Sequence, residues 1–231
     1  MPPVLNSIFI FRTLTPNVYC IPSYFTWLLN NLIIQGCGSG RDVYVISQLV
    51  GQVGHVHGID MTAEQLDVAK GALDAQMKTF FGTVEKPNVT FHQGFIEDLS
   101  FLETSTVDVV VSNCVVNLSP KKELVMQEIY RILKPGGEFY FSDVFVDRRL
   151  KAEIAFDPLL HSECLGGALY TRDFVNMAKN VGFKDPRMLT SAPITIKNDD
   201  IEKMVGNTKF DSITYRLFKL DSLVRYIVHN L

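Results

Sequence analysis

The segment Gly36-Cys37-Gly38-Ser39-Gly40 gathers three glycines in a G-x-G-x-G spacing, between an apolar run and a stretch of helical periodicity. Glycines at such a junction admit left-handed backbone and let a ligand press against the main chain. The helix that follows offers unpaired N–H groups. The dinucleotide fingerprint G-x-G-x-x-G would need glycine at position 41, where this chain has Arg41. Asp60 follows Gly40 by twenty residues, at the end of a second apolar run, where a carboxylate accepts both hydroxyls of a ribose. That acid points to adenosine without choosing between cofactors. Further on, Gly94-Phe95-Ile96-Glu97-Asp98-Leu99 puts an apolar side chain and an acid where an adenine ring and its amino group would lie. Ile96 and Glu97 are the candidate contacts, and Asp98 reads as solvated.

The thiols are the second chemical resource. Cysteines stand at 20, 37, 114 and 164 with no C-x-x-C pair, which argues against a zinc ribbon or a thioredoxin-type redox site. Such wide spacing suits a cytoplasmic protein with free thiols. Taken alone, a free cysteine is more often a small buried hydrophobe than a ligand. Cys37, inside the glycine loop, reads as structural. The five histidines show neither H-x-x-x-H nor H-E-x-x-H spacing, so they suggest no metal.

Strands and helices alternate so as to position these residues. Leu32-Ile33-Ile34 is a short buried strand stopping at the glycines. Asp42 to Val50 has helical spacing closed by Gly51. A second strand is expected over 56–60, and then a helix opened by a Thr62/Gln65 capping box, with Leu66, Ala69, Leu73 and Met77 on one face. Strands follow at 89–92 and 107–116. Ser119-Pro120 predicts a helix start, with Leu124, Ile129, Ile132 and Leu133 as its buried stripe. Lys134-Pro135-Gly136-Gly137 ends that helix, and Glu138 to Val144 is a fifth strand. A later helix spans about 171–181, and β-rich stretches follow at 188–196 and 212–220. The alternation predicts an α/β fold around a mostly parallel sheet. The last two strands lack a helix long enough for a parallel crossover and are expected to pair antiparallel at one edge.

Three motifs in this order, Gly36-x-Gly38-x-Gly40, Gly58-Ile59-Asp60 and Leu133-Lys134-Pro135-Gly136-Gly137, resemble the class I S-adenosylmethionine-dependent methyltransferases. A closer resemblance rests on Gly38-Ser39-Gly40-Arg41-Asp42, Gly58-Ile59-Asp60-Met61-Thr62, Val111-Ser112-Asn113-Cys114-Val115-Val116-Asn117-Leu118 and Glu163-Cys164-Leu165-Gly166-Gly167-Ala168-Leu169-Tyr170. These look like the arsenite methyltransferase family, over about residues 36 to 219. The resemblance implies a Rossmann-like sheet and S-adenosylmethionine lying against Gly36, Gly38, Gly40, Asp60, Ile96, Glu97 and Asn113. It implies trivalent arsenic held by Cys114 and Cys164, with arsenite and methylated arsenicals as substrates. It also implies a thiol reductant such as thioredoxin or glutathione. Soft arsenic prefers thiolates, and Cys20 is a candidate third one. The chain departs from the family in having Ile34 where an acid is usual, and in matching poorly before Gly36.

Composition bounds the alternatives. The chain has 231 residues, 22 Lys+Arg against 25 Asp+Glu, a formal charge of −3, 47% hydrophobic and 20% charged residues. That balance suits one globular domain, expected over 36–220, and supplies no basic face for nucleic acid. Residues 1–35 form an atypical leader whose only charged side chain is Arg12; its prolines and asparagines interrupt any apolar run long enough for a membrane. Residues 221–231 read as a short tail. Two other readings stay open: a methyltransferase for another small molecule with both cysteines merely packed, and an inert arsenic- or cofactor-binding protein.

Overall fold

The structure, a computed structural model, describes residues 30–220. In chain order its elements are β1 (Asn31–Gln35), α1 (Arg41–Val50), β2 (His55–Asp60), α2 (Ala63–Gly71), α3 (Leu73–Phe81), β3 (Val89–Gln93), β4 (Val107–Asn113), α4 (Lys122–Ile132) and β5 (Leu133–Val146). They continue with α5 (Ala152–Ala155), α6 (Pro158–Ser162), β6 (Leu169–Tyr170), α7 (Thr171–Val181), β7 (Arg187–Pro193), α8 (Asp199–Val205) and β8 (Phe210–Phe218). A short 3-10 turn, Val116–Leu118, separates β4 from α4.

The strands form one eight-stranded sheet in the order β3-β2-β1-β4-β5-β8-β7, with β6 beside β5. β1 through β5 pair parallel, while β8 pairs antiparallel with both β5 and β7, as expected for that edge. The order reverses between β1 and β4, so the crevice for a ligand opens at the carboxyl ends of those two strands.

Apolar side chains cover both faces. Val125, Met126 and Ile129 of α4, with Phe174 and Ala178 of α7, pack with Ile33, Val110, Phe139 and Phe141 of the sheet. Val43 and Ile46 of α1, Leu66 of α2 and Met77 of α3 pack on the opposite face with Leu32, Val56 and Val109. A third cluster joins Val144 and Val146 of β5 to Ile154, Leu160, Leu165, Ile201 and Val205, beneath the segment that carries Cys164. Among the described residues, no helix is long and apolar enough to cross a membrane.

Several local expectations change. β1 takes in Asn31–Gln35, so the sheet begins inside the segment set apart as a leader. Thr62 stands at the N-cap of α2 but forms no side-chain cap, so the expected capping box is not made. The single helix expected over Leu66 to Met77 is two, divided at Ala72. α4 starts at Lys122 rather than at Pro120, because the Ser119 hydroxyl accepts from Lys121 N (3.0 Å) in a turn that precedes the helix. This phase buries Val125, Met126, Ile129 and Ile132 and leaves Leu124 exposed. Leu133, expected on that stripe, is instead the first residue of β5, opposite Val107. The Lys134–Gly137 turn bulges out of the ladder, so that pairing jumps from Leu133 to Glu138.

Candidate active site

The glycine loop leaves β1 with Gly36, Gly38 and Gly40 at φ 62°, 51° and 84°, all left-handed. The three have different neighbours. A Cβ on Gly36 would meet Val115 at 2.8 Å, and one on Gly40 would meet Ala69 and Phe91 at 3.0 Å. A Cβ on Gly38 would have only Gln65 Oε1 nearby, at 3.8 Å, so Gly38 is the one whose backbone a ligand can approach. Asp60 anchors the loop: Oδ2 accepts from Gly38 N at 2.8 Å and Oδ1 from Thr62 N at 2.9 Å. The carboxylate is thereby fixed at the end of β2, with lone pairs left for ribose hydroxyls. Ile96 is buried. Glu97 Oε1 accepts from the Ser119 hydroxyl at 2.5 Å, which ties the segment after β3 to the turn before α4.

At the ends of β1 and β4, buried polar atoms lack protein partners. Asn113 Oδ1, Ser112 Oγ and both carboxamide atoms of Gln35 are among them. Gln35 pairs in register with Ser112, so these orphans cluster at the strand-order reversal. Buried polar atoms normally find a partner, and a polar ligand in this crevice would supply one. The Gly38 backbone, the Asp60 carboxylate and this orphan cluster fit an adenosine-bearing, amino-acid-tailed cofactor.

The sheet then brings two cysteines together. β4 stops at Asn113 because Cys114 turns left-handed (φ 54°), and Cys164 does the same (φ 61°) in the loop after α6. Apart from Ser105, they are the non-glycine residues with positive φ among those described. Such backbone costs free energy and clusters at functional sites. Fifty residues apart in sequence, the two meet where Cys164 Sγ lies 3.9 Å from Cys114 O. Burial, then Asp143, then Cys164 push the Cys114 thiol far above the ordinary range. Burial, then Asp143, push Cys164 up to about 11. Both are therefore protonated thiols near neutral pH.

Cys37 lies inside the fold, where a Cβ on Gly58 would meet its sulfur at 3.0 Å, and burial pushes it up to about 12. It packs in the core cluster with Val43, Ile46 and Leu66. Cys20 lies outside the described residues. Sequence reasoning passed over Gln35 and Asp143. The available signals were a carboxamide inside an apolar strand run and a lone acid within Phe139–Val146.

A model of a methyltransferase domain matches residues 31–182, and the chain belongs to that family of methyltransferases. Within it, the chain is similar to proteins named arsenite methyltransferase. It is 54% identical to that of Aquipseudomonas alcaligenes over 81% of this chain and 54% of the relative. It is 48% identical to the human one over 84% of this chain and 50% of the relative. Among solved structures it resembles the arsenic(III) S-adenosylmethionine methyltransferase of Chlamydomonas reinhardtii, with 49% identity and a TM-score of 0.79, covering 84% of this chain and 65% of that one. The chain thus spans about half the length of the curated relatives it matches.

Proposed function

We propose that this chain transfers methyl groups from S-adenosylmethionine to trivalent arsenic held by the Cys114 and Cys164 thiolates. The observation that carries this reading is the meeting of two left-handed cysteines at the carboxyl end of β4, beside the cofactor crevice. S-adenosylmethionine supplies an electrophilic methyl on a sulfonium sulfur. Gly38 would give it backbone room in a loop whose turn Gly36 and Gly40 allow, Asp60 would take its ribose, Ile96 and Glu97 would flank its adenine, and Asn113 would hold its polar tail.

The substrate's chemistry suits protonated thiols. Each As–S bond formed from arsenous acid replaces one As–OH bond, and the thiol proton leaves with that hydroxide as water. High thiol pKa values therefore do not block loading. The arsenic lone pair is the nucleophile, so no strong general base is required of the protein. Its task is to hold arsenic in line with the methyl group, and such positioning can lower a barrier by ~7–11 kcal/mol. Methylation raises arsenic formally from the trivalent to the pentavalent state, and a thiol reductant such as thioredoxin or glutathione returns it. Methylated arsenicals then re-enter as substrates. Reduced thiols on this path fit a cytoplasmic setting.

The test is arsenic speciation after incubating the full chain with arsenite, methyl-labelled S-adenosylmethionine and a thiol. Labelled methylarsenical is expected from wild type. Cys114→Ser and Cys164→Ser should each lose about a hundredfold or more in turnover, as expected for lost positioning, while cofactor affinity is kept. A fully active variant, or label passing only to another acceptor, would overturn the reading.

A further inference from the structure

Asp143 is wholly buried near the carboxyl end of β5, an acid among Phe139, Phe141, Val144 and Phe145. Burying a carboxylate is costly unless its oxygens are satisfied, and here backbone N–H groups satisfy them. Asp143 Oδ2 accepts from Asn117 N at 3.1 Å and Oδ1 from Val144 N at 2.8 Å. Asn117 belongs to the short turn that follows Cys114. Asn117 is itself fully buried and gives its side-chain amide to Val144 O at 2.6 Å. Its carbonyl presses on the second cysteine's loop: a Cβ on Gly167 would lie 2.0 Å from Asn117 O. Gly167 is three residues beyond Cys164. Contact therefore runs unbroken from Asp143 through Asn117 to Gly167, with one cysteine at each end of the turn-to-loop junction.

Both cysteines hold left-handed backbone, which costs free energy in a non-glycine residue and persists only where the surroundings impose it. For Cys114 those surroundings are the Asp143 bonds on one side and the Gly167 contact on the other. We propose that Asp143, acting through Asn117, is a positioning residue that sets the separation of the Cys114 and Cys164 thiols. The proposal rests on the reading of these two cysteines as the arsenic ligands. A second thiolate strengthens arsenic binding only if both sulfurs reach the atom together, and such a gain disappears when geometry forbids it.

Phenylarsine oxide added to the full chain tests this, because its arsenic accepts two thiols. Two As–S bonds form, and the oxide oxygen leaves as water with both thiol protons. In wild type, peptide-resolved mass spectrometry should find one arsenic bridging the Cys114 and Cys164 peptides, both protected from maleimide. Asp143→Asn should weaken that bridge by about a hundredfold. Each thiol should still be alkylated when arsenic is omitted, S-adenosylmethionine affinity should be unchanged, and unfolding should stay cooperative. Bridging as tight as wild type in Asp143→Asn would overturn the proposal. No bridge in wild type would instead overturn the ligand assignment on which it rests. Should Asp143→Asn fail to fold, Gly167→Ala decides: its added methyl must part the loop from Asn117 and loosen the bridge, and an undiminished bridge would overturn the proposal.

Discussion

At the scale of single residues, the site sets two opposing demands on its thiols. The proposed sharing of one arsenic needs them close together, while burial and Asp143 push both thiols up and keep them protonated. The thiolate is the species that alkylating agents attack. Iodoacetamide labelling of Cys164 is therefore expected to be slow at neutral pH and to rise about tenfold per pH unit toward its value near 11. Peptide-resolved rates between pH 7 and 10 check this, and a plateau below pH 9 would contradict it. Asp60 gives a second prediction. Asp60→Ala leaves Gly38 N and Thr62 N without their acceptor and removes the proposed ribose contact. The loss of hydrogen bonds to a charged group, about 1.5–3 kcal/mol, should weaken S-adenosylmethionine binding by roughly ten- to a hundredfold in a calorimetric titration. Gln35 behaves differently. Both of its polar atoms are buried without partners, so Gln35→Leu should raise the ligand-free Tm, by relieving a penalty of about 1–3 kcal/mol.

At the scale of elements, the phase of α4 is open to direct trial. Ile129→Ala should cost about 2–5 kcal/mol in denaturant unfolding, whereas Leu124→Ala should fall within about 0.5 kcal/mol of wild type. The edge formed by β2 and β3 carries its own signature. His57 Nδ1 lies 2.9 Å from His92 Nε2, a contact that needs one proton shared between them, and His55 packs beside His57. Burial, then the neighbouring imidazoles, lower His57 to about 4, and burial also lowers His55 and His92. The unfolded chain binds these protons first, so stability is present above pH 6.5 and is lost as pH falls toward 4. The Tm loss over that window should shrink in His57→Phe measured in parallel, where the contribution of other titrating groups cancels. These elements also mark what a sequence can reveal. The glycine loop, Asp60 at the end of β2 and the antiparallel β8 were legible because each depends on local pattern and crossover length. The start of α4 was not, because Ser119-Pro120 has the chemistry of a helix cap while its hydroxyl serves the turn and Glu97. Nor was Asp143, since only the pairing of β4 with β5 brings that acid beneath Cys114.

At the scale of the whole molecule, one sheet delivers three groups of residues to the same edge. β1 carries the glycine loop, β2 and β3 lead into the proposed adenosine contacts, and β4 leads into Cys114. The cluster around Ile154, Leu160 and Leu165 supports the loop that returns Cys164 to them. The domain that matches the methyltransferase model therefore contains both the cofactor crevice and the two thiols. Arsenic X-ray absorption on the arsenite-loaded, cofactor-bound chain tests this arrangement most directly. Two sulfur neighbours contributed by the protein are expected in wild type, falling by one in Cys114→Ser and in Cys164→Ser. A sulfur count unchanged by either substitution, or a shell of oxygen alone in wild type, would contradict the account.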